Sequence, residues 1–181
     1  KTLLLQGGSV TWCIGPAHYI AAPLGFADST REFLKRIHEV LEKHRFEVLD
    51  PWDQDYSQLF AEAEKLEKME ERRIYLHEQV NQVIGRKNAD LIRESDVLVA
   101  VLDGPDVDSG TASEIGFAFG LGKTIIGLRT DFRLAADNLG STVNLQVEYF
   151  IEESSGERIC RSLEELNESL RVLAAVIKIE R

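Results

Sequence analysis

The chain has 181 residues, enough for one domain with a real core, and its apolar (44%) and charged (29%) fractions are those of an ordinary globular protein. A formal charge of −10 with no basic cluster argues against nucleic-acid backbones and anionic membranes as partners, and no apolar run approaches the roughly 20 residues of a membrane helix. No charged-then-apolar-then-small leader is legible, and two distant cysteines, Cys13 and Cys160, are expected to be free thiols in a reducing cytoplasm.

Residues 1–16 read as an N-terminal extension or edge strand, with Leu3-Leu4-Leu5 as a short strand, Gly7-Gly8 a turn and Gly15-Pro16 a break. Residues 17–181 read as a single domain. His18-Tyr19-Ile20-Ala21-Ala22 is a short buried strand stopped by Pro23. Ser29 with Glu32 fits a capping box, and Phe33, Ile37, Val40 and Leu41 then share one helical face as far as about His44. Phe46–Leu49 is a second strand, ended by Asp50-Pro51 and followed by a loop from Trp52 to Tyr56. Gln58 to about Met69 reads as a solvated helix, and Arg72–Ile92 as another, interrupted near Gly85.

Asp96–Leu102 has the unbroken apolar character of a strand buried on both faces. It breaks at Gly104-Pro105, and a helix follows from Ser109 to Leu121. Thr124–Leu128 is the next strand, then a loop runs through Arg129–Arg133, and Val147–Ile151 reads as a last strand. Ser162 and Glu165 cap a final helix with a stripe of Leu166, Leu170, Leu173 and Ile177. Strands alternating with helices predict an α/β fold: a flavodoxin-like, doubly wound, mostly parallel five-stranded sheet flanked by helices.

The stretch around the central strand delivers three carboxylates, Asp103, Asp108 and Glu114, to the carboxyl edge of the sheet, where ligands of such folds sit. Glu114, early in its helix, is expected to be ionised by the helix dipole and is a candidate nucleophile or base. Read without further context, Glu114 could equally be a solvated helix residue, Asp108 an N-cap and Tyr19 plain core. Other motifs fail. Gly122-Lys123-Thr124 lacks the first glycine of a phosphate loop, because position 117 is Phe117, and it leads into a strand. There is no G-x-G-x-x-G for a dinucleotide and no G-x-S-x-G elbow. His18, His38, His44 and His77 show no metal-ligand spacing, so no metal and no cofactor is expected.

The run Asp108-Ser109-Gly110-Thr111-Ala112-Ser113-Glu114-Ile115-Gly116, with Leu121-Gly122-Lys123 after it, resembles the signature of the nucleoside 2-deoxyribosyltransferases. Tyr19-Ile20-Ala21-Ala22-Pro23, Pro51-Trp52-Asp53-Gln54, Asn88 and Val143-Asn144-Leu145-Gln146 resemble that family's other landmarks in order, from about Ala17 onward. The resemblance implies transfer of 2-deoxyribose between nucleobases by double displacement, with free 2′-deoxyribonucleosides and nucleobases as substrates. It implies Glu114 as the nucleophile, Tyr19 as the hydroxyl that aims it, and Asp108 on the sugar hydroxyls or the departing base's proton. Gly110 belongs to the same motif. Asn88, Gln54 and Asp55, with Asp53 beside them, are implied to face the base. Asn144, with Gln146 beside it, would be donated by a neighbouring subunit to the sugar, implying a homo-oligomer (dimer or hexamer).

Two departures stand out. Some members carry Asp where this chain has Asn88, and Ser113 replaces a commonly bulky apolar residue. A related expectation is hydrolysis of 2′-deoxynucleosides or their 5′-monophosphates. Those hydrolases are implied to have a Ser- and Arg-bearing first loop and a Ser at the position of Asp108. Here the loop is Pro23-Leu24-Gly25-Phe26, and Asp108 would repel a 5′-phosphate. A non-enzymatic nucleotide-binding domain is the third possibility.

Overall fold

The computed structural model describes residues 16–136 and 138–179, except for the side chains of the last three. The expected strand and turn near Leu3 and Gly7, Cys13 and the side chain of Ile177 lie outside the described residues.

Four parallel strands form the sheet in the order β2-β1-β3-β4: β1 Ala17–Ala21, β2 Glu47–Leu49, β3 Val97–Val101 and β4 Thr124–Leu128. Register is fixed by pairs such as Tyr19 with Leu98 and Ala100 with Gly127. β3 alternates between two cores because successive side chains of a strand point to opposite faces. Val97, Val99 and Val101 join one core with α1 (Asp28–Lys43) and α7 (Leu163–Ile179). Leu98 and Ala100 join the other. That second face is covered by α4 (Gln82–Glu94), α5 (Ser109–Gly120) and α6 (Leu145–Ser155).

The expected fifth strand is absent among the described residues. Val147–Ile151 lies inside α6, which Asn144 caps by accepting from the amides of Gln146 and Val147. Val147 and Ile151 are buried four residues apart, the helical spacing rather than the alternation of a strand. The position beside β4 is taken instead by a single parallel bridge between Leu128 and Cys160. There the Cys160 amide donates to Gly127 and the Arg129 amide to Cys160. The order is therefore the flavodoxin-like one with its last strand reduced to a bridge.

Three helix readings also change. Helix α1 begins after Ala27 with no side-chain cap, so Ser29 and Glu32 do not form the expected box. Thr30 instead donates its hydroxyl to the carbonyls of Leu24 and Ala27. The helix expected from Gln58 to Met69 splits into α2 (Ser57–Glu64) and α3 (Met69–Tyr75). The irregularity expected at Gly85 falls earlier, as a π-helical segment over Leu76–Asn81 joining α3 to α4. Glycine alone does not break a helix that packing holds, whereas inserted turns of this kind gather near functional sites. The final helix keeps half of its box: Ser162 Oγ accepts from the Glu165 amide, while the Glu165 carboxylate accepts from the amide of Arg161 rather than from that of Ser162.

His18, fully buried in β1, donates from Nδ1 to Pro16 and stacks on Phe46 with ring centroids 3.9 Å apart. Its Nε2 has no partner among the described residues, and burial lowers its pKa to about 4. The unfolded chain thus binds this proton more readily than the native one, so its contribution is complete above pH 6.5 and is lost as pH falls toward 4. The shift corresponds to about 3 kcal/mol. His18→Gln should remove this dependence. Urea midpoints at pH 7 and pH 4.5 are expected to show the variant losing less stability on acidification than the parent chain.

Candidate functional site

All four strands run the same way, so the loops leaving β1, β2 and β3 meet at one edge of the sheet. The β1 loop folds as a single 3-10 turn over Pro23–Phe26, and the β2 loop as another over Pro51–Asp53. Between them and helices α2, α4 and α5 lies a cleft of about 370 Å³. That is within the size range of small-molecule sites.

Glu114 sits at its floor. Its Oε1 accepts a hydrogen bond of 2.7 Å from the hydroxyl of Tyr19, a fully buried residue of β1. Strand periodicity places Tyr19 on the face that α5 covers, and helical periodicity turns Glu114 back toward it. Burial raises the Glu114 pKa to about 7; the Tyr19 bond lowers it and the nearby Asp108 charge raises it. The ionisation expected from the helix dipole is thus outweighed by desolvation. Tyr19 is pushed far above its ordinary value by burial and by the same carboxylate, so it is a permanent donor.

Asp108 caps α5, its Oδ2 accepting from the amide of Thr111 at 3.0 Å. Among the described residues no donor reaches its Oδ1, which is left for a ligand. Gly110 stands where any Cβ would lie 3.0 Å from Asp108 Oδ2. Asn88 and Ile84, one helical turn apart on α4, line the wall opposite, and Gln54 comes from the β2 loop. The remaining surface is largely aromatic. Phe26 and Trp52 meet edge to face at 4.5 Å, and Phe60 and Tyr56 join them. Sequence reading did not single out Tyr56, Phe60 or Ile84, because an apolar residue in a loop or on a charged helix carries no periodic signal.

Trp52 is held from three sides. Its amide donates to Asp50 Oδ1 at 2.9 Å and its indole to the Ala22 carbonyl at 3.0 Å. Gly25 lies so close that an added Cβ would sit 2.0 Å from the indole. Asp50 is 2% exposed and its other oxygen binds His38 Nε2 at 2.7 Å, an interaction that raises the His38 pKa. His38, Asp50 and Asp53 bring ligand-type atoms within 4.8 Å of one another, a grouping that sequence spacing did not show. The His38 nitrogen and both Asp50 oxygens are already bonded, so the His38–Asp50 pair serves as an anchor for Trp52.

Several expected residues fall elsewhere. Asp103 accepts from Thr130 and from the Asp131 amide, tying the β3 loop to the β4 loop. Fully buried Arg129 reinforces that tie by donating to Leu102, Gly104 and Arg133. Asp53 lies beside the His38 anchor, and Asp55 is exposed and caps Ser57 at 2.9 Å; neither lines the cleft. Asn144 and Gln146 are exposed at the start of α6 and do not line it either.

Comparisons with known proteins bear on the family and the fold. A family model described as nucleoside 2-deoxyribosyltransferase matches residues 18–150. A conserved protein from Enterococcus faecalis superposes with a TM-score of 0.62 at 23% identity, covering 87% of this chain and 98% of that one. A 2-desoxiribosyltransferase from Leishmania mexicana gives 0.59 at 24%, covering 86% and 97%. A CMP N-glycosidase from Clostridium botulinum gives 0.50 at 18%, covering 86% and 98%. At these identities the likeness is one of fold. No curated protein matches.

Two outcomes test the site's energetics. The native state holds the Glu114 proton more tightly than the unfolded chain, so this group's contribution is greatest at low pH. It is lost as pH rises from 4.5 through about 7. Glu114→Gln keeps an acceptor for Tyr19 but no charge; it should be more stable than the parent by about 3 kcal/mol at pH 8, with the gain gone at pH 4. Thermal melts at both pH values measure this. Gly25→Ala must displace Trp52 and should cost about 1–3 kcal/mol, read from the same melts.

Proposed function

The chain belongs to the nucleoside 2-deoxyribosyltransferase family, and from that premise we propose that it moves 2-deoxyribose between nucleobases by double displacement, using free 2′-deoxyribonucleosides. The observation that carries this reading is Glu114, a carboxylate aimed by Tyr19 at 2.7 Å in a cleft walled by aromatic rings. A nucleobase stacks on such rings while the sugar anomeric carbon faces the carboxylate.

In the first step a Glu114 oxygen bonds to C1′ as the C1′–N bond breaks, its electron pair leaving with the base. The transition state resembles an oxocarbenium ion, and the buried carboxylate stabilises its positive charge before bonding to it. Asp108, with Oδ1 uncommitted, binds the sugar hydroxyls or passes the proton that the departing base takes up. In the second step a nitrogen of the incoming base attacks C1′, the C1′–O bond to Glu114 breaks, and the N–H proton the base gives up returns to the group that protonated the departing base. Two inversions return the original anomeric configuration. Asn88 and Gln54 face the base; Asn144, exposed in this chain, completes the sugar subsite of a neighbouring copy in a homo-oligomer.

Among the described residues none that lines the cleft is Lys, Arg or His, whereas Asp108 and Glu114 are both there. A 5′-phosphate would enter without a counter-charge and against two carboxylates. That favours free nucleosides over 5′-monophosphates.

Incubation with 2′-deoxyinosine or thymidine plus adenine, followed by chromatography, should yield 2′-deoxyadenosine, and Glu114→Ala should abolish it. Free base and deoxyribose without new nucleoside would mean hydrolysis instead. The nucleophile must be ionised, so transfer should rise about tenfold per pH unit below pH 7 and level off above it, following the Glu114 pKa of about 7.

A further inference from the structure

Two buried polar atoms beside the cleft have no hydrogen-bond partner among the described residues: the Asn88 Oδ1 and the Tyr56 hydroxyl. Both residues line its walls, Asn88 from α4 and Tyr56 from the β2 loop. Buried polar groups in folded proteins are almost always paired, because leaving one unpaired costs the full desolvation of the group. Two such atoms on one cavity point to an absent ligand that supplies both partners. Their chemistry states what it must offer. An amide oxygen only accepts, so the ligand presents an N–H or O–H to Asn88. A phenol donates, so it presents a lone pair to Tyr56.

We propose that Tyr56 is a specificity-determining residue of the base subsite, donating its hydroxyl to a ring nitrogen or carbonyl of the nucleobase while Asn88 Oδ1 accepts from an adjacent N–H. This rests on the proposed function and adds to it a residue that neither the motif nor the family resemblance assigned. Both groups are neutral, so the pair selects neutral bases with a donor next to an acceptor on one edge, as in adenine, cytosine or hypoxanthine. Burial raises the Tyr56 pKa, which keeps the hydroxyl a donor at working pH. The phenol ring belongs to the aromatic wall, so removing the oxygen alone leaves that wall in place.

Tyr56→Phe separates a ligand-binding hydroxyl from a structural one. With the full chain, expected results are a KM for adenine raised about tenfold in the transfer assay and a thermal midpoint unchanged or higher, because the hydroxyl has no partner to lose. Adenine, 1-deazaadenine and 7-deazaadenine are then compared by calorimetry. The parent chain should bind one deaza analogue at least tenfold more weakly than adenine, and Tyr56→Phe should erase that difference. A lowered midpoint with unchanged KM, or deaza discrimination that survives the substitution, overturns the proposal while leaving the transferase reading intact. Calorimetric discrimination that Tyr56→Phe erases, in a chain that transfers no deoxyribose, supports the role of Tyr56 and overturns the transferase reading. No binding of any of the three bases, in a chain that also transfers no deoxyribose, overturns both.

Discussion

The hydrogen bond between Tyr19 and Glu114 joins the middle of the sheet to the helix that covers it. It is the point at which the fold and the chemistry meet. A carboxylate in that position is costly to bury, and one phenolic donor offsets only part of the cost, so the native state prefers it protonated. The same burial makes the group useful. A carboxylate stripped of water is a stronger partner for a developing cation, and a pKa near neutrality lets it be ionised at little expense when needed. The neighbouring loops hold the surroundings still. Asp50, Gly25 and Ala22 fix Trp52, while Asp103 and Arg129 pin the loop that carries Asp108.

His18 and Glu114 illustrate how a core tolerates two titratable groups. Both are desolvated, yet the consequences have opposite sign, because a histidine is buried neutral by losing a proton and a glutamic acid by keeping one. Over nearly the same pH interval one group weakens the fold on acidification and the other strengthens it. The two slopes oppose each other, so the chain is less sensitive to mild acid than either residue alone would make it.

Most of the architecture was legible from hydrophobic pattern: β3 reads as unbroken apolar sequence, and the caps at Asp108 and Ser162 stand where residue type placed them. The mistaken strand at Val147–Ile151 has a physical cause. Val147, Tyr149, Phe150 and Ile151 are strand-loving residues, but Asn144 caps the segment as a helix and the α5 side of the sheet packs on Val147 and Ile151. Within the site, Tyr19, Glu114, Asp108, Asn88 and Gln54 converge as a motif-based reading expects. Asp53 and Asp55 do not line the cleft, since a loop of alternating polar residues gives no clue to which of them turns inward. Tyr56 and Phe60 were illegible for the converse reason: their importance lies in what surrounds them in space.

The two partners at the cleft floor are separated by 95 residues in the chain. Tyr19 lies on β1, whose neighbours are β2, nearby in sequence, and β3, which follows β2 only after five intervening helical segments. Closing such a distance is entropically demanding, and parallel pairing of this kind is slow to form. The residues of α1 and of the β1–β2 pair therefore leave the ribosome well before Glu114, the proposed nucleophile. The Tyr19–Glu114 contact can close only once β3 is inserted and α5 has docked, so the proposed site is completed late in folding rather than early.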